Sequence, residues 1–115
     1  MNYLPGNMHY LLKVYGATQQ NLADFVKVSQ NSISHWVNGL TSPNTPALIS
    51  IRQFFGISID TLIMVDLSKA RIDLTENIKM FYKKGHAGGL LKGQNLPISL
   101  QYFLAADKSK ARKKK

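Results

Sequence analysis

The stretch "VSQNSISHWVNG", residues 28–39, decides how the chain is read. It holds the sole tryptophan, Trp36. Ser29 suits a helix N-cap, because its hydroxyl can accept from the free N–H groups of the first turn. Gly39 suits the far end, where a left-handed residue closes a helix at little cost. The helix between them, from Gln30 to about Asn38, has two faces. Ile33, Trp36 and Val37 recur at i, i+3, i+4 spacing and are predicted to be buried. Gln30, Asn31, Ser34, His35 and Asn38 fall on the other face, which carries no carboxylate. Every long side chain there both donates and accepts hydrogen bonds. Gln and Asn amides can pair with adenine in two places, and Ser and His can contact bases or phosphates. An ordinary solvated face would usually carry some Glu or Lys. This one can approach a major groove without repelling phosphate.

The residues around it predict further short helices. Thr18 caps a helix over residues 19–26, with Leu22, Ala23 and Val26 as its apolar face. Upstream, "MHYLLKVY" predicts a helix opened by Asn7 and stopped near Gly16, with Leu11, Leu12 and Tyr15 inward. Downstream, "LTSPNT" is a polar turn. Thr45 then acts as a cap with Pro46 at the first helical position. Ala47, Leu48, Ile51, Phe54 and Phe55 mark a buried helix ending at Gly56. Ser58 caps one more short helix with Ile59, Leu62 and Ile63 inward. That makes five helices in about 60 residues, with no strand required.

The second half is less regular. Leu74, Ile78, Phe81 and Tyr82 fit i, i+4, i+7, i+8 spacing, and so do Leu96, Leu100, Phe103 and Leu104. Two helices are expected, the first capped by Thr75. "PISLQYF" also alternates every two residues, which leaves a strand open there. "GHAGGLLKGQN" reads as a flexible connector with His86 exposed. Two fates for the apolar stripes are equally open: packing on the first domain as core, or dimerisation.

Charge divides the chain. Its formal net charge is +9. Residues 1–66 sum to zero, with Lys13, Lys27 and Arg52 against Asp24, Asp60 and Asp66. Residues 67–115 carry twelve Lys and Arg against Asp73, Glu76 and Asp107, so the whole excess lies there. The last eight residues, "KSKARKKK", hold six cations: Lys108, Lys110, Arg112, Lys113, Lys114 and Lys115. Such a run is expected to be disordered and to act as an arm that neutralises phosphates. The expected organisation is a domain over residues 1–66, an extension over 67–107 and a basic tail over 108–115.

Other classes lose ground. With no cysteine, a disulfide framework and a cysteine zinc site are excluded. "MNYLPGNMHY" lacks the charged start and apolar run of a secretion signal. The apolar runs fall far short of the roughly 20 residues that span a bilayer. A soluble, cytoplasmic protein is expected, with no membrane partner. His9, His35 and His86 show no metal-ligand spacing, and the acidic residues form no obvious catalytic pair. "GHAGGLLKG" departs from the phosphate-loop pattern because no Ser or Thr follows a Gly-Lys pair. No enzyme activity, cofactor or metal is expected.

Residues 8–66 resemble the Cro/XRE family of phage repressor-type helix-turn-helix domains. The matching stretches are "TQQNLADFVKVSQNSISHWVNG" and "SPNTPALISIRQFFGISIDTLI". The resemblance implies an all-α, five-helix fold whose third helix reads double-stranded DNA. By it, Gln30, Asn31 and His35 take base-contacting positions with Ser34 close by. Gln19 takes the position that holds the DNA backbone and braces the first reading residue. Thr18, Lys27, Ser29, Asn38, Thr41, Ser42 and Asn44 lie along the backbone. The chain departs from the family where Lys27 replaces a frequent turn glycine, and where Val37 replaces a frequent glutamate. The function implied is a transcriptional regulator, a repressor acting as a homodimer on a palindromic operator. The competing reading is an antitoxin or interaction module of the same fold that binds a partner protein.

Overall fold

A computed structural model describes residues 2–86 of the chain, and among them every regular element is helical. The order is α1 (Leu4–Tyr15), α2 (Gln19–Val26), α3 (Gln30–Val37), α4 (Thr45–Phe55), α5 (Ile59–Met64), α6 (Leu67–Ala70) and α7 (Thr75–Lys83). The second predicted helix of the C-terminal part, the alternating "PISLQYF" and the basic tail lie outside the described residues.

Local chemistry explains most helix ends. Thr18 and Asn21 form a reciprocal capping box: the Asn21 amide donates to Thr18 Oγ1 at 3.0 Å, and the Thr18 amide donates to Asn21 Oδ1 at 2.9 Å. Ser29 and Ser58 accept from the amides of Ser32 and Thr61 at 3.1 and 3.2 Å. Gly16, Gly39 and Gly56 close α1, α3 and α4 with positive φ. These ends agree with the sequence.

Two caps fall elsewhere. Asn44, not Thr45, caps α4: its Oδ1 accepts from Ala47 N–H at 3.0 Å, while Thr45 and Pro46 are already helical. Asp73, not Thr75, serves α7, with its Oδ1 taking the Thr75 amide at 2.9 Å. The Thr75 hydroxyl and then its amide hold the Asp73 carboxyl below its usual range. In both cases an Asn or Asp lies one or two residues upstream, and its planar acceptor reaches the free amides.

The start of α1 is a larger correction. The helix begins at Leu4, with Pro5 in its first turn, and Asn7 lies inside it, 2% exposed. Asn7 is a clamp. Its Nδ2 donates to the carbonyls of Leu62 at 2.7 Å and Val65 at 2.6 Å, and its Oδ1 accepts from Leu67 N–H at 3.0 Å. One buried amide thus satisfies three backbone groups where α5 ends and α6 begins. The partners lie 55–60 residues away, which periodicity cannot reveal. The short helix α6, capped by Asp66, was also not expected.

The core runs through α1 to α5 and continues into α7. Tyr15, Phe54, Phe55, Phe81 and Tyr82 are buried together, and their rings meet edge to face at 4.9–5.2 Å. Tyr15 donates to the Phe55 carbonyl at 2.7 Å, and Tyr82 donates to the Tyr15 carbonyl. Burial raises both phenol pKa values, that of Tyr82 to about 12. Of the two fates open to the stripe at residues 74–82, the structure shows packing onto the first five helices.

His86 is not the solvated loop residue the sequence suggests. The turn after α7 closes with Gly85 N–H on the Tyr82 carbonyl and His86 N–H on the Phe81 carbonyl, at 3.0 and 3.3 Å. That turn lays the imidazole against Phe25, Phe54 and Phe81, with ring centroids 4.7, 5.7 and 5.6 Å away. Desolvation, and then the neighbouring Lys84 cation, push its pKa down.

Candidate nucleic-acid interface

The interface is built from α2, α3 and the turns beside them. Ile33, Trp36 and Val37 are buried, as their spacing requires, and they fix the roll of α3. No buried side-chain nitrogen or oxygen among the described residues lacks a partner. The opposite face is open: Gln30, Asn31 and Asn38 are exposed, and Ser34 and His35 are half-buried.

The structure joins the two helices at one place. Gln19, Gln30, Asn31 and Ser34 line a single shallow depression of about 340 Å³. Gln19 therefore lies beside Gln30 and Asn31, although eleven positions separate it from Gln30. The depression contains amides and a hydroxyl and no ionisable group. His35 does not line it. Asn38 leans back toward Ser34, its amide nitrogen 3.4 Å from the hydroxyl oxygen.

Several polar residues are partly committed to local structure. The hydroxyl oxygens of Thr18 and Ser29 accept from backbone amides as caps, and Ser29 also shares a bond with the Ser32 hydroxyl at 3.1 Å. Asn44 is exposed but its carbonyl is held by Ala47. Thr41 and Ser42 are exposed and make no cap. Lys27 ends α2 in the left-handed region, φ 68°, with its amide on the Ala23 carbonyl at 2.8 Å. A side chain there costs roughly 1 kcal/mol relative to glycine. Its ammonium is the one cation of this turn and is exposed.

The far end of α3 shows a feature missed in the sequence. Gly39, φ 75°, donates to the Trp36 carbonyl and Leu40 to the His35 carbonyl, at 3.1 and 2.8 Å. This double closure leaves Leu40 standing 70% exposed at the edge of the polar face. Its apolar character was legible, but its exposure depends on how the turn leaves the helix.

Two short helices meeting across a tight turn, the second presenting a polar face, define a helix-turn-helix domain. Residues 12–62 match the helix-turn-helix family of the Cro/XRE type. The chain is also similar to the HTH-type transcriptional activator BcrR of Enterococcus faecalis, 34% identical over 67 residues. The likeness covers 56% of this chain and 33% of that protein, so the chain matches about a third of that relative's length. No solved structure matches. No group of three or more metal-ligating side chains occurs among the described residues, and none of their helices is long and apolar enough to cross a membrane.

Proposed function

We propose that the protein binds specific double-stranded DNA with α3 in the major groove and regulates transcription from that site in the cytoplasm. The observation that carries this is the depression shared by Gln19, Gln30, Asn31 and Ser34. It places hydrogen-bonding groups of two helices on one surface without a carboxylate. Gln30, Asn31, Ser34 and His35 read base edges. Gln19 braces Gln30 and meets the backbone at the α2 N-terminus, where amides and helix dipole favour phosphate. Lys27, Asn38, Thr41 and Ser42 contact the flanking phosphates. Thr18, Ser29 and Asn44 serve chiefly by shaping the helix starts.

An eight-residue α3 covers only a few base pairs. Two copies on half-sites about one helical turn apart supply the rest of the affinity and specificity. The basic residues Lys108, Lys110, Arg112, Lys113, Lys114 and Lys115 supply grip that is independent of sequence. The sign of regulation follows from where the operator lies. A dimer across the promoter represses by occlusion, which is the reading we favour, whereas the relative named above is an activator.

Selection of bound sequences from random duplex DNA by the purified chain tests this. A palindrome with half-sites spaced by about 10 base pairs is the expected result. No enrichment would overturn it and turn attention to a protein partner, as for an antitoxin.

A further inference from the structure

Helices α4 and α7 leave an open groove of about 230 Å³ between them. Its floor is aromatic, from Phe54, Phe55 and Phe81, and Met80 lies along it 48% exposed. One turn before Gln53 of the rim, Ile49 of α4 is also exposed. The floor rings are themselves almost wholly shielded. What the groove offers is therefore side-chain surface for packing, and not an enclosed space for a small ligand.

The sequence contains an apolar stripe of matching kind. Leu96, Leu100, Phe103 and Leu104 repeat the spacing by which Leu74, Ile78, Phe81 and Tyr82 bury α7. The described chain ends at His86, which itself lines the groove. Nine residues separate His86 from Leu96, enough to span about 30 Å when extended. Reach is not limiting, because the described chain ends at the groove's own edge. A stripe tethered here competes with free partners at the high local concentration that a short linker imposes.

We propose that residues 96–104 of the same chain occupy the α4–α7 groove, laying their apolar stripe against Met80 and the aromatic floor. This stands apart from the DNA reading. It fixes where the basic residues 108–115 leave the folded body: four residues beyond the seated stripe.

The chain has no cysteine, so an engineered pair is unambiguous. In the full chain, Met80→Cys is combined in turn with Leu96→Cys, Leu100→Cys and Leu104→Cys, and each variant is oxidised mildly at low concentration. At least one pair is expected to close within a single chain at least tenfold faster than a control with Met80→Cys and Gln101→Cys, which lies off the stripe. Pairs no faster than the control overturn the proposal. Links that join two chains overturn it too, and assign the groove to a second copy. Hydrogen exchange on the Phe103→Asp chain is the second measurement. Amides of α7 should exchange faster while those of α3 do not change, and an unchanged α7 again overturns the proposal.

Discussion

Ending the chain at Asp66, where the charge balance changes, should strongly destabilise the helix-turn-helix domain. The cut removes α6 and α7 and with them Phe81 and Tyr82, both buried. Burial of each side chain contributes about 1.5–3 kcal/mol, so about 3–6 kcal/mol is lost. The Tyr82 hydroxyl bond to the Tyr15 carbonyl adds about 1 kcal/mol. Further loss follows because Tyr15, Phe54 and Phe55 would face water and Asn7 Oδ1 would lose the Leu67 amide. Against a total of about 5–15 kcal/mol for a folded domain, this removes most of the margin. At about 4–8 °C per kcal/mol, the thermal midpoint should fall by at least ~15 °C relative to residues 1–86. Circular dichroism melts of the two chains measure it. A chain of residues 1–66 that melts within about 5 °C of the longer one would refute the reasoning that α7 belongs to the core.

Other consequences follow from particular groups. Gln30→Ala should relax selection at one base position at a cost of roughly 1–3 kcal/mol, measured by competition between cognate and variant duplexes. Equal weakening on cognate and random DNA would remove Gln30 from the readers. Deleting residues 107–115 should weaken binding to every sequence and reduce the salt slope by about 0.9 for each phosphate no longer neutralised; an unchanged slope would remove the tail from the interface. Desolvation, and then the Lys84 cation, hold the pKa of His86 in the fold below that of the unfolded chain. The unfolded state therefore takes up the proton first as pH falls, so His86 contributes stability above about pH 6.5 that is lost on acidification. His86→Phe keeps a ring on Phe25 and Phe54 without a titrating group. Its stability should change less between pH 7 and 5 than that of the parent chain, and parallel urea titrations would show whether it does.

The ends of α2, α3 and α5 were legible because their causes are local. A Thr or Ser cap meets amides two or three residues away, and a left-handed glycine acts on the turn it sits in. The two faces of α3 were legible for a related reason: once Ile33, Trp36 and Val37 lie inward, the helix period sends Gln30, Asn31 and Asn38 outward. Asn7 misled because the same amide that caps helices can also sit inside one when carbonyls arrive from elsewhere. Those carbonyls belong to Leu62 and Val65. His86 misled because glycine-rich surroundings hide a turn whose geometry presses the ring onto Phe25.

The sequence by itself determined the helical character of the described residues, the ends of α2, α3 and α5, and the acid-free face of α3. These depend on interactions within a turn or two of the backbone. Spacing along the sequence could not show that Gln19 shares a surface with Gln30, Asn31 and Ser34, which only the family resemblance implied, and tertiary structure alone decided that α7 completes the core. Both depend on helices approaching each other across long stretches of chain. Ring packing and buried carbonyls choose that approach, and no spacing along the sequence encodes it.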